Sequence, residues 1–311
     1  RKRFAEPGDA LRTPAVMVTT PQTLNEAGVF GGTFAAPVRT TPQHVQIEAQ
    51  LDWLFDFYLR QQDERSWYGF WNYGDVMHTY DADRHVWRYD IGGYAWDNSE
   101  LSTDIWLWLH FLRNGRPDVF RFAEAMTRHT GEVDVHHLGR FAPLGSRHNV
   151  MHWGCSAKQL RISTALNRRY YYYLTADERV GDLMREQIEA ARTLRTIQPG
   201  RKLPDARTRA RPDPQGEVAW VGFGTDWGSL AGAWLTEWER RGSPQMRSRL
   251  LASMRTTGRQ PRGFFTGSAP LNLRTGAFDI STGRKLNVSH LRAPFGLPEV
   301  CAGVFQLLPL P

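Results

Sequence analysis

Residues 101–114 read LSTDIWLWLHFLRN. Apolar side chains follow one another too closely to leave a wet face, so a helix here is buried on both sides. Asp97, with Glu100 three residues on, has the form of a capping box ahead of it. Asn114-Gly115-Arg116-Pro117 ends the helix, and Val119, Phe120, Phe122 and Ala123 start a second one with a single apolar stripe. A helix that is apolar all round, paired with one that keeps a wet face, is the inner and outer member of a helical hairpin.

The pattern continues on both sides. Upstream, Ile47, Leu51, Leu54, Phe55 and Tyr58 recur at helical spacing after Pro42. Downstream, a helix is expected from about Ser156 into Tyr170–Tyr173, with Lys158 near its start. Another follows Thr175, with Val180, Leu183, Met184, Ile188, Ala191 and Leu194 on one side. A polar stretch at 199–216 separates these from helices at about 226–240 and 244–256, and turn residues at Thr275-Gly276 and Thr282-Gly283 suggest a strand-turn-strand over Leu271–Leu286. The expected fold is all-α: α/α toroid-like helical hairpins, an incomplete ring of about seven or eight helices, with a small β element near the C-terminus. Residues 1–41 are expected as an extended lead-in or the end of a preceding domain, and residues 42–311 as the toroid.

Composition narrows the function. The 311 residues are 41% hydrophobic and 23% charged, which is an ordinary globular balance. No apolar run approaches the roughly 20 residues of a membrane-spanning helix. Two cysteines, Cys155 and Cys301, are too few for a disulfide framework or a thiolate zinc site. The net charge of +7 comes from arginine, since Lys2, Lys158, Lys202 and Lys285 are the whole lysine complement. Arginine suits a polyanionic partner, but a genome biased toward arginine codons gives the same excess. The chain starts at Arg1 without an apolar signal segment and ends in alternating Leu and Pro, so it is expected to be trimmed or a fragment. Its localisation is not assigned.

The chemistry gathers in two loops. The first, 66–98, is SWYGFWNYGDVMHTYDADRHVWRYDIGGYAWDN, with neither helical nor strand periodicity. A long aromatic loop inside a compact domain points to function. Trp71 and Trp96 can pack on the C–H face of a sugar, while Asn72, Asp75 and Asn98 bind its hydroxyls. His78 and Tyr80 are candidates for proton transfer. The second loop, 130–155, adds Arg140, Arg147, His148, His152 and Trp153, and eight of the ten histidines fall between 78 and 152. His148 and His152 are four apart, but HNVMH lacks the glutamate of a zinc-protease helix, and no run of aspartates has calcium spacing. No metal and no cofactor is therefore expected, calcium being disfavoured. Asp75 and Asp97 can also be read as the acid and base of a glycosidase. A nucleic-acid partner is not expected: carboxylates lie too densely among the rings, and there is no phosphate cradle.

YGFWNYGDVMHTYD (68–81), HVWRYDIGGYAWDNSE (85–100), GSRHNVMHWG (145–154) and RRYYYYLTADER (168–179) resemble the catalytic domain of the exo-rhamnogalacturonan lyases, polysaccharide lyase family 26. The resemblance covers residues 45–200 strongly and the rest loosely. It implies a central α/α-toroid domain flanked by β-rich domains. It also implies β-elimination at the galacturonate of rhamnogalacturonan I, with release of an unsaturated disaccharide from a chain end. The family's base is a lysine upstream of the aromatic loop and its acid an arginine. Here the upstream lysine is Lys2, so the base lies outside this chain or its role has passed to His or Tyr. Arg147 is then the first candidate to neutralise the uronate carboxylate or protonate the leaving group, with Arg140 second. The alternatives are a toroid glycoside hydrolase acting on uronides and a non-catalytic carbohydrate-binding fragment.

Overall fold

The protein alternates helices that lack a wet face with helices that keep one, as the sequence pattern requires. The computed structural model describes residues 19–308 except 32–33, 91–92, 95, 147–157, 163, 197–215, 225, 282–285, 289–292 and 294. A short helix, α1 (Pro21–Glu26), is followed by the long α2 (Pro42–Glu64), whose N-cap Thr41 accepts a hydrogen bond from His44 N. Three helical hairpins come next: α3 (Thr103–Asn114) with α4 (Pro117–Glu132), α5 (Ala165–Thr175) with α6 (Glu178–Glu186), and α7 (Trp227–Arg241) with α8 (Pro244–Gly258). A 3-10 segment, Gln187–Arg195, extends α6, and α9 (Leu297–Leu307) packs on α7.

Burial sorts these helices into two layers. Residues 165–171 of α5 and 227–236 of α7 are buried without a break, so each has neighbours on every side. In α4 the buried set is Val119, Phe122, Ala123, Met126, Thr127, His129, Thr130 and Gly131, a single stripe, and α8 shows the same habit. The contacts follow: α3, α5, α7 and α9 touch in sequence as the inner layer, and α4, α6 and α8 back onto them. This is an α/α toroid, as expected. Trp108, Trp227 and Trp234 are among its largest fully buried side chains, so much of the tryptophan excess is packing.

The hairpins turn alike at one end. Gly115, Ala176 and Gly242 each end an inner helix with left-handed backbone (φ 68°, 55° and 65°), and their N–H groups return to the carbonyls of Phe111, Tyr172 and Trp238. Pro117 and Pro244 then open the outer helices, where the missing N–H costs nothing. Because these turns are short, every long connection falls at the other end, where the inner helices begin. That end is the mouth.

The β structure is small and departs from expectation. In the mouth, β1 (Tyr80–Asp81) pairs with β2 (Val86–Trp87), and β3 (Tyr89–Asp90) with β4 (Gly93–Tyr94), in a loop whose sequence carried no strand period. β5 (Gly145–Ser146) pairs with β6 (Lys158–Gln159), so Lys158 sits on a strand and not at a helix start; α5 begins at Ala165. The expected C-terminal hairpin is instead a long-range ladder. β8 (Ser268–Asn272) pairs with β7 (Val218–Gly222), and Leu271 makes one bridge to Phe278. Residues of the lead-in pack on the toroid: Phe30 and Phe34 are buried in the core, and Arg113 and Arg169 donate to the carbonyls of Ala35 and Val29. Among the described residues, no helix is long and apolar enough to cross a membrane.

Ala176 occupies a left-handed position that both equivalent turns give to glycine. Ala176→Gly removes steric strain worth about 1 kcal/mol, partly offset by the greater freedom of glycine in the unfolded chain. The expected result is a melting temperature raised by roughly 1–3 °C, whereas Gly242→Ala should lower it by a similar amount. Differential scanning calorimetry of both variants checks the pair.

Candidate functional site

The mouth is built by two loops that meet over the C-terminal end of α4. The first, between α2 and α3, makes a tight pass at Gly74, whose φ is +96°. A Cβ there would lie 2.3 Å from the Ala125 carbonyl oxygen and 2.9 Å from Cβ of His129, so only glycine lets this loop lie against the helix. The pass places Asp75, which is fully buried, beside Asn98 from the far end of the same loop. Asn98 N donates to both Asp75 carboxylate oxygens at 3.2 Å, and Asp97 N donates to Val76 O at 2.8 Å. The second loop enters through Asp134, whose Oδ1 accepts from Asn98 Nδ2 at 2.6 Å. Asp134 O in turn accepts from Ser146 N at 3.0 Å on β5.

His129 closes the knot. Its Nδ1 lies 2.9 Å from Tyr73 O, which makes Nδ1 the protonated nitrogen. Nε2 then faces Asp134 Oδ1 at 3.4 Å and Asp75 Oδ2 at 3.9 Å. All three side chains are essentially without solvent contact. Asp97, also fully buried, has no hydrogen-bond partner for either carboxylate oxygen among the described residues. Asp104, in the first turn of α3, accepts from Ser99 Oγ (2.7 Å) and Asn167 Nδ2 (2.6 Å). Arg168 runs into the same region fully buried, donating to Thr130 O at 3.3 Å.

Such crowding of buried acids shifts their titration. Burial, then repulsion from Asp134, pushes Asp75 up to about 7. Burial, then Asp75 and Asp104, holds Asp97 well above the carboxylate range. Burial raises Asp104 to about 6 against the pull of Ser99 and Asn167. For His129, burial opposes the charged form, but Asp134, Asp75 and the Tyr73 carbonyl prevail and raise it to about 9. Burial lowers Arg168 to about 10. The backbone is strained at the same place: Asn98, Ser99 and Ser102 all have positive φ (49°, 61° and 56°) without being glycine.

The sequence candidates divide by depth. Trp71 is exposed and meets Phe70 edge-on at 4.8 Å; Phe70 is 81% exposed, and Tyr68 and Tyr73 stack at 6.0 Å on the same turn. Asn72 is half-buried, and its Oδ1 accepts from Gly69 N at 2.7 Å, which shapes that turn. His78 and Tyr80 are half-buried: His78 Nδ1 is 3.0 Å from Thr79 Oγ1, and Tyr80 OH is 3.3 Å from His85 Nδ1. Arg140 is exposed, its guanidinium 4.5 Å over the Phe141 ring, and Lys158 Nζ lies 5.4 Å from the same ring.

The others are used differently from the expectation. Asp75 and Asn98 are sealed inside the knot, where a polar group must find a protein partner and presents none to a sugar. Trp96 is buried edge-on against Trp67 at 5.4 Å and bridges Met77, so its faces belong to the core. Asp97 does not cap α3; that helix starts after Ser102, and Asp97 O accepts from Glu100 N in the preceding turn. Arg147, His148, His152 and Trp153 lie outside the described residues, as does Cys155. His129 and Asp134 were not among the candidates. His129 stands on the apolar stripe of α4, and nothing in its spacing relates it to Asp75, 54 positions earlier. A cavity of about 350 Å³ elsewhere, at the short-turn end of α3, is lined by charges that already pair: Arg113 with Glu48, and Arg39 with Asp52 at 3.3 Å.

Fold and mouth together define an α/α-toroid domain whose long loops gather at one end. The chain belongs to the family of PcRGLX-like protein C-terminal alpha/alpha toroid domains, whose model matches residues 14–310. That description places the toroid at the C-terminal end of its proteins, not centrally. A relative, the uncharacterized protein YetA of Bacillus subtilis (strain 168), is 40% identical over 310 residues, covering 96% of this chain and 34% of that protein. The chain thus spans about a third of the length of the curated relative it matches.

Two predictions follow from the knot's geometry. Gly74→Ala should cost at least about 2 kcal/mol, through a forbidden φ and a backbone clash together; a melting temperature within 1–2 °C of the parent's, roughly the error of the shift, would contradict it. Asp104 has a folded-state value above its ordinary 3.8, so its contribution to stability is full below that value and is lost as pH rises through about 6. Between about pH 4 and about pH 7, the parent should therefore lose up to about 3 kcal/mol relative to Asp104→Asn, read from denaturant unfolding at each pH.

Proposed function

We propose that this chain is the toroid domain of a polysaccharide lyase that cleaves a uronic-acid-containing pectic polysaccharide of the rhamnogalacturonan I type by β-elimination. The observation that carries the reading is the mouth itself. An exposed aromatic turn at 68–73 and the exposed Arg140 over Phe141, with the buried Lys158 near the same ring, stand on two loops tied together at their base by Asp75, Asn98 and Asp134. Aromatic faces suit pyranose C–H surfaces, and cations suit the uronate carboxylate. Membership of the PcRGLX-like toroid family and the four sequence blocks that resemble those of exo-rhamnogalacturonan lyases support the same substrate class.

The chemistry needs three things from the protein. A cation beside the C5 carboxylate makes the C5 proton acidic, a base removes that proton, and O4 takes up a proton as its bond to C4 breaks, leaving a C4–C5 double bond. Arg140 and Arg147 are the proposed counter-charges, used in place of calcium. His78, Tyr80, His148 and His152 are the proposed proton carriers. Trp71, with Asn72 shaping its turn, holds a sugar face, and Trp153 is a second platform. Trp96, Asp75 and Asn98 act from below by fixing the loops. Exo action on a chain end, and β-rich domains accompanying the toroid, are part of the proposal.

The test is ultraviolet absorbance of purified protein on rhamnogalacturonan I, with and without a chelator. Unsaturated product is expected. Arg140→Ala should lower kcat/KM by roughly 100-fold, and Trp71→Ala should raise KM by roughly tenfold with a smaller effect on kcat. New reducing ends without new absorbance would assign a hydrolase. Binding of oligogalacturonides without turnover would assign a carbohydrate-binding domain.

A further inference from the structure

We propose that Asp75, His129 and Asp134 form a site for one divalent metal ion of the zinc or manganese class, which locks the two mouth loops to the end of α4. The site does not depend on the lyase reading, because it is sealed from solvent and touches no sugar.

Three observations converge on it. One ligand atom from each of the three side chains lies within 4.8 Å of the others, so small carboxylate rotations bring all three onto one ion with bonds of about 2.0–2.2 Å. His129 is oriented as metal-bound histidines are: Nδ1–H donates to the Tyr73 carbonyl, which turns Nε2 toward both carboxylates. Nε2 and Asp134 Oδ2 are both buried and have no hydrogen-bond partner among the described residues. A buried imidazole nitrogen facing two carboxylate oxygens at 3.4 and 3.9 Å needs a positive charge between them, which either a proton on Nε2 or a bound cation supplies.

Charge supports the same conclusion. Asp75, Asp97, Asp104 and Asp134 are all essentially inaccessible, and the buried Arg168 guanidinium interacts with Asp104 and Asp134 among them. A buried excess of acid is neutralised either by protons or by a cation, and a divalent ion supplies two charges at once. The donor set chooses the metal. One imidazole nitrogen with two carboxylates suits zinc or manganese. Calcium asks for six to eight oxygens, and magnesium prefers oxygen-only ligands over an imidazole nitrogen.

The experiment begins with the parent chain, so it does not rely on a variant folding. Metal analysis of protein purified without chelator should find about one equivalent of zinc or manganese. Dialysis against a strong chelator should lower the melting temperature by at least about 5 °C, and zinc chloride or manganese chloride should restore it while magnesium chloride does not. Asp134→Asn, which keeps the size and the contact to Asn98, should bind under a tenth of an equivalent and lose the chelator response. Two results overturn the proposal: metal-free parent protein whose melting temperature ignores both chelator and added metal, and Asp134→Asn that retains full metal content. The first assigns the place between the carboxylates to a proton on His129.

Discussion

The contact of Gly74 with α4 governs the geometry of the mouth. A loop of more than thirty residues joins α2 to α3, and a chain that long has no shape of its own. It acquires one because its backbone at Gly74 comes within the space a Cβ would need against Ala125 and His129. The approach buries Asp75, and Asp75 then takes the backbone N–H of Asn98. One tight contact thereby fixes both ends of the loop. The exposed rings at 68–73 are held just ahead of it, and the turn into α3 just after.

The strain around Asn98, Ser99 and Ser102 makes sense on this footing. Three left-handed non-glycine residues in five positions cost of order 1–3 kcal/mol each. They are stable because their side chains are committed elsewhere: Asn98 to Asp134, Ser99 to Asp104, with Asn167 of α5 bonded to both Ser99 and Asp104. The same turn leads into α3, whose first turn carries Asp104 where free N–H groups favour negative charge, and Asn167 of α5 bonds that carboxylate. Helix polarity and the knot thus collect acids at one place, and desolvation raises their titration together.

The inner helices were legible because burial on all sides leaves its mark within a dozen consecutive residues, as in 101–114. The turns that join them were legible at Asn114-Gly115-Arg116-Pro117, since glycine and proline state their backbone geometry locally. What the sequence hid was pairing at a distance. β7 and β8 are five residues each and lie 45 residues apart, so no local period announces the ladder. His129 and Asp134 were hidden for a related reason. A histidine on an apolar stripe looks like packing until a loop some fifty residues earlier is folded against it. Trp96 and Trp71 had the same local look, Gly and Asp nearby in an aromatic loop. The Met77–Trp96 bridge carries one inward and leaves the other on the surface.

On the proposed reading, the division of the mouth into a buried acidic base and an exposed cationic and aromatic rim bears on which sugars it can accept. A uronate approaching from solvent meets Arg140 and the rings first, whereas the aspartates lie behind them in a low-dielectric interior that screens poorly. Where they are ionised, their field would oppose a carboxylate at the rim. Arg168 offsets part of it, and a divalent ion between Asp75, His129 and Asp134 would offset most of the rest. On the proposed reading, the metal's contribution to substrate binding is then electrostatic and indirect: it makes the base of the mouth neutral enough for an acidic polysaccharide to lie across it, while Arg140 at the rim supplies the contact. A toroid selecting neutral sugars would have no need of that arrangement, which is why the charge of the buried knot and the charge of the substrate belong to the same argument.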